Sequence, residues 1–320
     1  MNTPTNHRLS KLLPTLMTAG LVTVVVLAAG SSSAGIQGSG FRSLLAIGTV
    51  TEPVRGSSDI IVVGGVPYST AHASIQIDGH AGTQGQIHTG DVVTLLATES
   101  ADGSAASATQ VTVDGSVQGK VTGIDASTLF VLGQTVHVTS QTVFGADVKT
   151  SSLQGGAVVE VSGFADSAGS LVATRIESKG QSSVSRVVGN VRTLDPTGHT
   201  FYVNALKVDY GNAAVDAPLT DNERVTVQGV KFAADGTLIA NQVHAAAVAH
   251  GQAGSLGRIQ GLVTSFPSNV YFEVNGQPVA VSAQTKLTLP APIGLDVEVE
   301  VTGAFDTNGV LVADSVQTSR

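Results

Sequence analysis

The chain has 320 residues, of which 42% are hydrophobic, 12% charged and only 4% aromatic, a composition that supports packed cores and excludes an extended disordered tail. Its formal net charge of −8, with no basic cluster, argues against a nucleic-acid partner, because phosphate binders carry a basic face. There are no cysteines, so neither disulfides nor a cysteine nucleophile can contribute.

In chain order, the N-terminus comes first. Arg8 and Lys11 precede a 19-residue stretch, Leu12 to Gly30, interrupted only by Pro14 and three threonines. A basic start, an apolar middle and a small-residue end form an export signal, with Ala28, Ala29, Gly30 and Ala34 as candidate cleavage positions. A retained anchor is the competing reading, since a stretch of this length just spans a bilayer. Residues 1–30 are therefore assigned to a signal peptide or membrane anchor helix, and residues 31–45 to a Ser/Gly linker that opens SSSAGIQGSG. The protein is expected to be exported, to the periplasm, the outer surface or the medium. It touches a membrane only through that first segment, if uncleaved.

The remainder is one small β unit used four times. Each copy opens Gly-x-Val, at Gly48, Gly119, Gly189 and Gly261, which lie 71, 70 and 72 residues apart. Next come two short apolar runs around a turn: IIVVGGVPYS from Ile60, LFVLGQTVHV from Leu129, FYVNALKVDY from Phe201 and FEVNGQPVAV from Phe272. A strand alternating valine with polar residues follows, as in Val159-Glu160-Val161-Ser162-Gly163 and Val299-Glu300-Val301-Thr302-Gly303, degraded in the first copy to Val93–Ala97. The unit ends on a Gly-bearing turn and a last strand. Period-two alternation and β-branched residues specify strands, and Asp-Gly pairs supply tight turns. After position 45 no sustained helical period is found; His244 to His250 comes nearest to one.

A unit of about 70 residues is close to the smallest that builds its own core, and closure into a barrel removes its bare edges. The expected fold is all-β: four tandem small OB- or SH3-like barrels, arranged as beads on a string, over residues 46–115, 116–180, 181–250 and 251–320. A continuous solenoid is the alternative, although its repeats run about 20–45 residues.

Four groups of residues invite a chemical reading. His72, His80 and His88 fall close together in the first copy, beside Asp78 and Asp91. Imidazole and carboxylate suit a metal such as zinc or copper, but the spacing matches no ligand pattern and the other copies lack all three histidines, so exposed loop histidines are the competing reading. Phe130, Tyr202 and Tyr271 sit on equivalent strands. By alternation Leu129, Phe201 and Phe272 point inward, so Phe130 and Tyr202 point outward, as does Tyr271 one position out of phase; such rings can form a stacking platform or an edge contact. Asp296, Glu298 and Glu300 alternate with valines and should share one strand face, solvated or holding a cation. The turns at Asp306 and Asp235 open like calcium loops but lack the terminal glutamate, which favours plain hairpins. No serine-nucleophile elbow, metalloprotease, phosphate-loop or dinucleotide motif occurs.

The GTV…IIVVGGVPYSTAHASIQIDG…IHTGDVVTL pattern of the first copy, with FEVNGQPVAV and the valine–glycine strands of the later ones, resembles the bacterial family called domain of unknown function 5666, over about residues 46–318. The resemblance implies an exported or lipid-anchored envelope protein with tandem copies. It transfers no catalytic residue, and serine stands after Gly30 where a lipidated cysteine would be needed. The expectation is a non-enzymatic envelope protein, without cofactor, whose repeats bind a polysaccharide or an envelope protein. A structural spacer or self-assembling subunit is the alternative, and an enzyme acting through the first copy the lesser one.

Overall fold

The computed structural model describes residues 40–53, 59–146, 148, 153–246, 249–289 and 292–318, within a unit spanning Gly40–Arg320. The signal or anchor read into residues 1–30, and the linker as far as Ser39, lie outside the described residues. Among the described residues no helix is long and apolar enough to cross a membrane.

The first segment runs through β1 (Phe41–Pro53), β2 (Ile60–Val63), β3 (Val66–Ser69), β4 (Ser74–Ile77), β5 (His80–Ala81), a 3₁₀ turn at Gln84–Gln86, β6 (Val92–Ser100) and β7 (Ala106–Val113). The second comprises β8 (Val117–Asp125), β9 (Thr128–Val131), β10 (Gln134–His137), β11 (Val143–Phe144), β12 (Val158–Ala165) and β13 (Leu171–Ser178). The third comprises β14 (Ser185–Asn190), β15 (Arg192–Asp195), β16 (Thr200–Val203), β17 (Leu206–Asp209), β18 (Ala214–Val215), β19 (Arg224–Phe232) and β20 (Leu238–Ala245). The fourth comprises β21 (Leu256–Ser268), β22 (Tyr271–Val274), β23 (Gln277–Ala280), β24 (Lys286–Thr288), β25 (Glu298–Phe305) and β26 (Leu311–Thr318). β1 thus starts at Phe41, inside the stretch read as linker to residue 45.

Pairing closes each segment on itself. In the second, β8 pairs with β9, β9 with β10, β10 runs parallel to β13, β13 pairs with β12, and β12 returns to β8. The first and fourth segments close in the same order. In the third, β14 and β15 together play the part of β8. These are small closed five-strand barrels, OB-like in their closure.

Alternation sets what each barrel buries. Leu129, Phe201 and Phe272 are inside with Val131, Val203 and Val274, as the pattern predicts. The hairpin between the second and third strands is a two-residue turn with positive φ, at Gly64–Gly65, Leu132–Gly133 and Asn275–Gly276. Leu132 tolerates this conformation because its side chain is buried over Gly119, where an added methyl would collide with it.

The barrels are not separate beads. Parallel pairing of Leu44–Ile47 with Leu256–Ile259 merges the first and fourth segments into one 13-stranded sheet. Antiparallel pairing of Val117 and Gln118 with Val187 and Arg186 merges the second and third into another. The middle pair even shares one core, whereas the first and fourth keep their own. Within its own barrel the start of β8 pairs only with β12, since its ladder to β9 begins at Val121, and the start of β1 pairs only with β6; pairing between barrels covers the edge these starts leave free.

Turns are held by carboxylates. Asp306 Oδ1 accepts the backbone N–H groups of Asn308 (2.8 Å) and Val310 (2.9 Å), and Asp166 does the same for Ala168 and Ser170. These bonds hold the Asp306 carboxyl below the ordinary carboxylate range. The carboxylate is aimed at its own turn, as a hairpin requires, and not outward to a cation. Its bonds stabilise the folded chain only while it is ionised. The thermal midpoint lost in Asp306→Ala should therefore be full at neutral pH and shrink as the pH falls below about 4. A loss independent of pH would show that the carboxylate is not the holding group.

Candidate functional site

The densest polar chemistry lies where the first three segments meet. β12 delivers Glu160, β13 delivers Arg175 and Glu177, Lys179 follows β13, and β14 delivers Arg186. The first segment contributes Asp78 from its β4–β5 turn and Asp91 from the loop before β6. All but Arg186 line a cavity of about 170 Å³.

Arg186 is the centre of this network. Its side chain is only 4% exposed and bridges Glu160 (2.6 Å) and Asp78, tying the third segment to the second and first. Lys179 pairs with Glu160 and, at 2.7 Å, with Glu177. Arg175 donates to Glu177 (3.2 Å) and to the Thr89 carbonyl (3.1 Å), and its Nε faces Asp91 at 3.5 Å. Burial and the neighbouring Asp78 push the Glu160 carboxyl upward, with Arg186 and Lys179 pulling against them. Burial likewise raises Asp91, against the His88 N–H (2.7 Å) and Arg175. Glu177 is also penalised by burial, but Lys179 and Arg175 bring it below the usual range. Every carboxylate here faces a cation. The arrangement holds no nucleophile–base pair; it works as an electrostatic joint between barrels.

Sequence reasoning missed this joint, although a signal was present. Arg186 and Arg258 each stand three residues before the opening glycine of their copy. Both reach into the first segment: Arg258 donates to the buried Tyr68 hydroxyl (2.8 Å) and faces Glu99 at 3.4 Å.

The three histidines are placed apart in their roles. His72 and His80 are exposed, and His80 Nδ1 bonds the Asp78 carbonyl at 2.8 Å. His88 is exposed and lies 3.8 Å from Asp91. Among the described residues no group of three or more His, Asp or Glu side chains could hold a metal ion.

The carboxylate row is not a row. Asp296 precedes β25 in a positive-φ turn and takes the Ser167 N–H (2.7 Å) and hydroxyl (3.1 Å), linking the fourth segment to the second. Glu298 and Glu300 remain on β25 and accept from Gln260 (2.9 Å) and Gln317 (3.0 Å). The positive φ at Asp296 turns the chain away before the strand begins, so alternation could not be extended back to it.

Phe130, Tyr202 and Tyr271 all face outward, at 38%, 36% and 38% exposure. Phe130 lies over Gly123, Tyr202 stands between Arg192 and Lys207, and Tyr271 opposes Ala280. The described ring contacts join other residues, Tyr210 to Phe201 and His199, and Phe266 to Phe272. A second, open concavity of about 460 Å³ in the third segment is walled by Leu194, Pro196, Tyr210, Val215, Ala217, Pro218 and Leu219, with Asp216 at 2.7 Å from His244. Neither this groove nor the charged cavity contains any of the three outward rings.

The family model "Domain of unknown function (DUF5666)" matches residues 118–177 and 260–317, the second and fourth barrels. No curated protein matches the chain. Among solved structures, one described as "drosophila Unr CSD456" is similar over 64% of this chain and 98% of its own, at 14% identity and a TM-score of 0.20, too low to carry an argument.

Proposed function

The chain carries domain of unknown function 5666 at two of its barrels, and from that premise we propose a non-enzymatic, exported envelope protein that binds a polymer, a glycan first of all, through repeated barrel faces. On this reading all four segments are copies of one OB-like module, and residues 1–30 direct export or anchor the chain. The supporting observation is the outward ring on the second strand of three barrels, Phe130, Tyr202 and Tyr271. In OB-like barrels the face of the second and third strands is where oligomers lie. A flat ring there offers a stacking surface to a sugar, and hydroxyl-bearing and charged neighbours such as Thr135 and Lys207 stand opposite on the third strand.

The test is retention on insoluble glycans, including cell-wall sacculi. Wild-type chain is expected to be retained. Phe130→Ala, Tyr202→Ala and Tyr271→Ala together should weaken binding about a hundredfold, at about 1 kcal/mol per ring. Absence of retention on every glycan, or retention untouched by the triple change, removes this reading. The alternative, a structural spacer, is favoured by the buried ion network, which fixes the barrels to one another.

A further inference from the structure

One turn-on-turn joint inside this chain has a matching half that stands unpaired. The turn Leu132–Gly133–Gln134 of the second segment meets Asn204–Ala205–Leu206 of the third. Gln134 is buried; its Nε2 donates to the Val203 and Leu132 carbonyls (both 3.0 Å), and its Oε1 accepts from Asn204 Nδ2 at 2.6 Å. Asn204 Nδ2 also donates to the Gly169 carbonyl at the tip of the β12–β13 hairpin (2.9 Å). The backbones meet so closely that a methyl on Gly133 would lie 2.6 Å from the Leu206 nitrogen.

The fourth segment repeats the second segment's half, as Asn275–Gly276–Gln277 with hairpin tip Gly309. Nothing lies within 4 Å of where a methyl would stand on Gly276 or Gly309. Gln277 is 1% exposed. Its Nε2 donates to the Gly309 carbonyl (2.7 Å), the place Asn204 serves in the second segment, and to Pro278 (3.1 Å). Its Oε1 is buried with no partner. A stranded buried acceptor is costly, and the same atom of Gln134 is satisfied by a neighbouring barrel.

We propose that the Asn275–Gln277 turn with Gly309 is a docking surface for a second copy of this chain, which presents the same turn across a two-fold axis. An isologous contact needs a self-complementary patch. This turn has one: asparagine where the third segment has Asn204, and Gly-Gln where the second has Gly133–Gln134. On docking, the Asn275 amide gives up two bonds within its own barrel, Nδ2 to the Gln260 carbonyl (2.9 Å) and Oδ1 from the Leu262 N–H (3.2 Å); the Gln277 amide, whose Oε1 is closed off from solvent in the single chain, turns outward, and Asn275 reaches Gln277 Oε1 and the Gly309 carbonyl of the other copy. The first segment already covers the β21 edge at Leu256–Ile259, which in the second segment's joint would pair. The contact is therefore confined to the turns, and the dimer is weak and concentration-dependent. This inference does not rest on the polymer-binding reading.

Sedimentation equilibrium of the purified chain over a concentration series tests it. Wild type is expected to dimerise reversibly. Gln277→Leu places there the residue the third segment has, Leu206, so the barrel should fold. It should weaken the dimer about tenfold or more and leave the thermal midpoint unchanged or raised. Asn308→Trp at the exposed hairpin tip should also abolish the dimer without touching the buried amide. A chain monomeric throughout, or a dimer that survives Gln277→Leu or Asn308→Trp, overturns the proposal.

Discussion

Arg186→Met is expected to lower the unfolding free energy by about 3–5 kcal/mol, measured by urea denaturation at neutral pH. The side chain is 4% exposed and stands between two carboxylates, Glu160 and Asp78. Removing it leaves Glu160 with only Lys179 and Asp78 with no guanidinium, at a largely buried site. Stranding one side of a buried ion pair is the costly case, whatever the intact pair contributes. The pH dependence gives a second readout. Burial and Asp78 already hold the Glu160 carboxyl high, and Arg186 opposes them. Without Arg186 the folded-state value rises further above the unfolded one. Such a group is protonated in the folded chain before the unfolded one, so acidification stabilises the fold. The deficit of Arg186→Met should therefore shrink as the pH falls from 7 toward about 5. A loss below about 1 kcal/mol, or one that grows in acid, would contradict this account of the joint.

Gly303→Ala is expected to lower the unfolding free energy by about 2–3 kcal/mol. At Gly303 the ladder of β25 against β26 skips a residue, a β-bulge. The bulge brings the Val312 carbonyl oxygen under the Gly303 Cα, where a methyl would collide with it. A backbone oxygen locked in a ladder cannot yield as a side-chain tip would. Gly163 meets Val172 in the same way at its own bulge. The first segment carries Ala97 at the corresponding shift, so a bulge with a methyl exists in another barrel. A silent Gly303→Ala, by differential scanning calorimetry, would show that the fourth barrel can make the same adjustment.

Much of the architecture was legible in the residues. The Gly-x-Val openings, the turn between the second and third strands and the valine strands all mark elements where the structure has them, because local alternation and turn chemistry are dictated by neighbours in sequence. Outward Phe130, Tyr202 and Tyr271 followed from the same rule. What alternation cannot encode is which barrel touches which. The pairing of the first segment with the fourth depends on strand edges about two hundred residues apart, and nothing in either strand names its partner. The ion network was missed for a related reason, the recurring arginine before the opening glycine being its one trace in the sequence. Glu160, Arg175 and Arg186 read as polar positions of half-exposed strands, and only the docking of a second barrel buries them. Asp296 was misplaced because a single left-handed residue, at φ 64, breaks the strand it was assigned to.

The parallel ladder between Leu44–Ile47 and Leu256–Ile259 also sets the timing of folding. The earliest strand of the body cannot find its lateral partner until nearly the whole polypeptide has been synthesised. Loop-closure entropy of that span must be met before the contact stabilises anything, which makes the final step slow and late. The earlier barrels close on contacts within their own segments, so the sheet that joins the first barrel to the fourth is the last part of the fold to be completed.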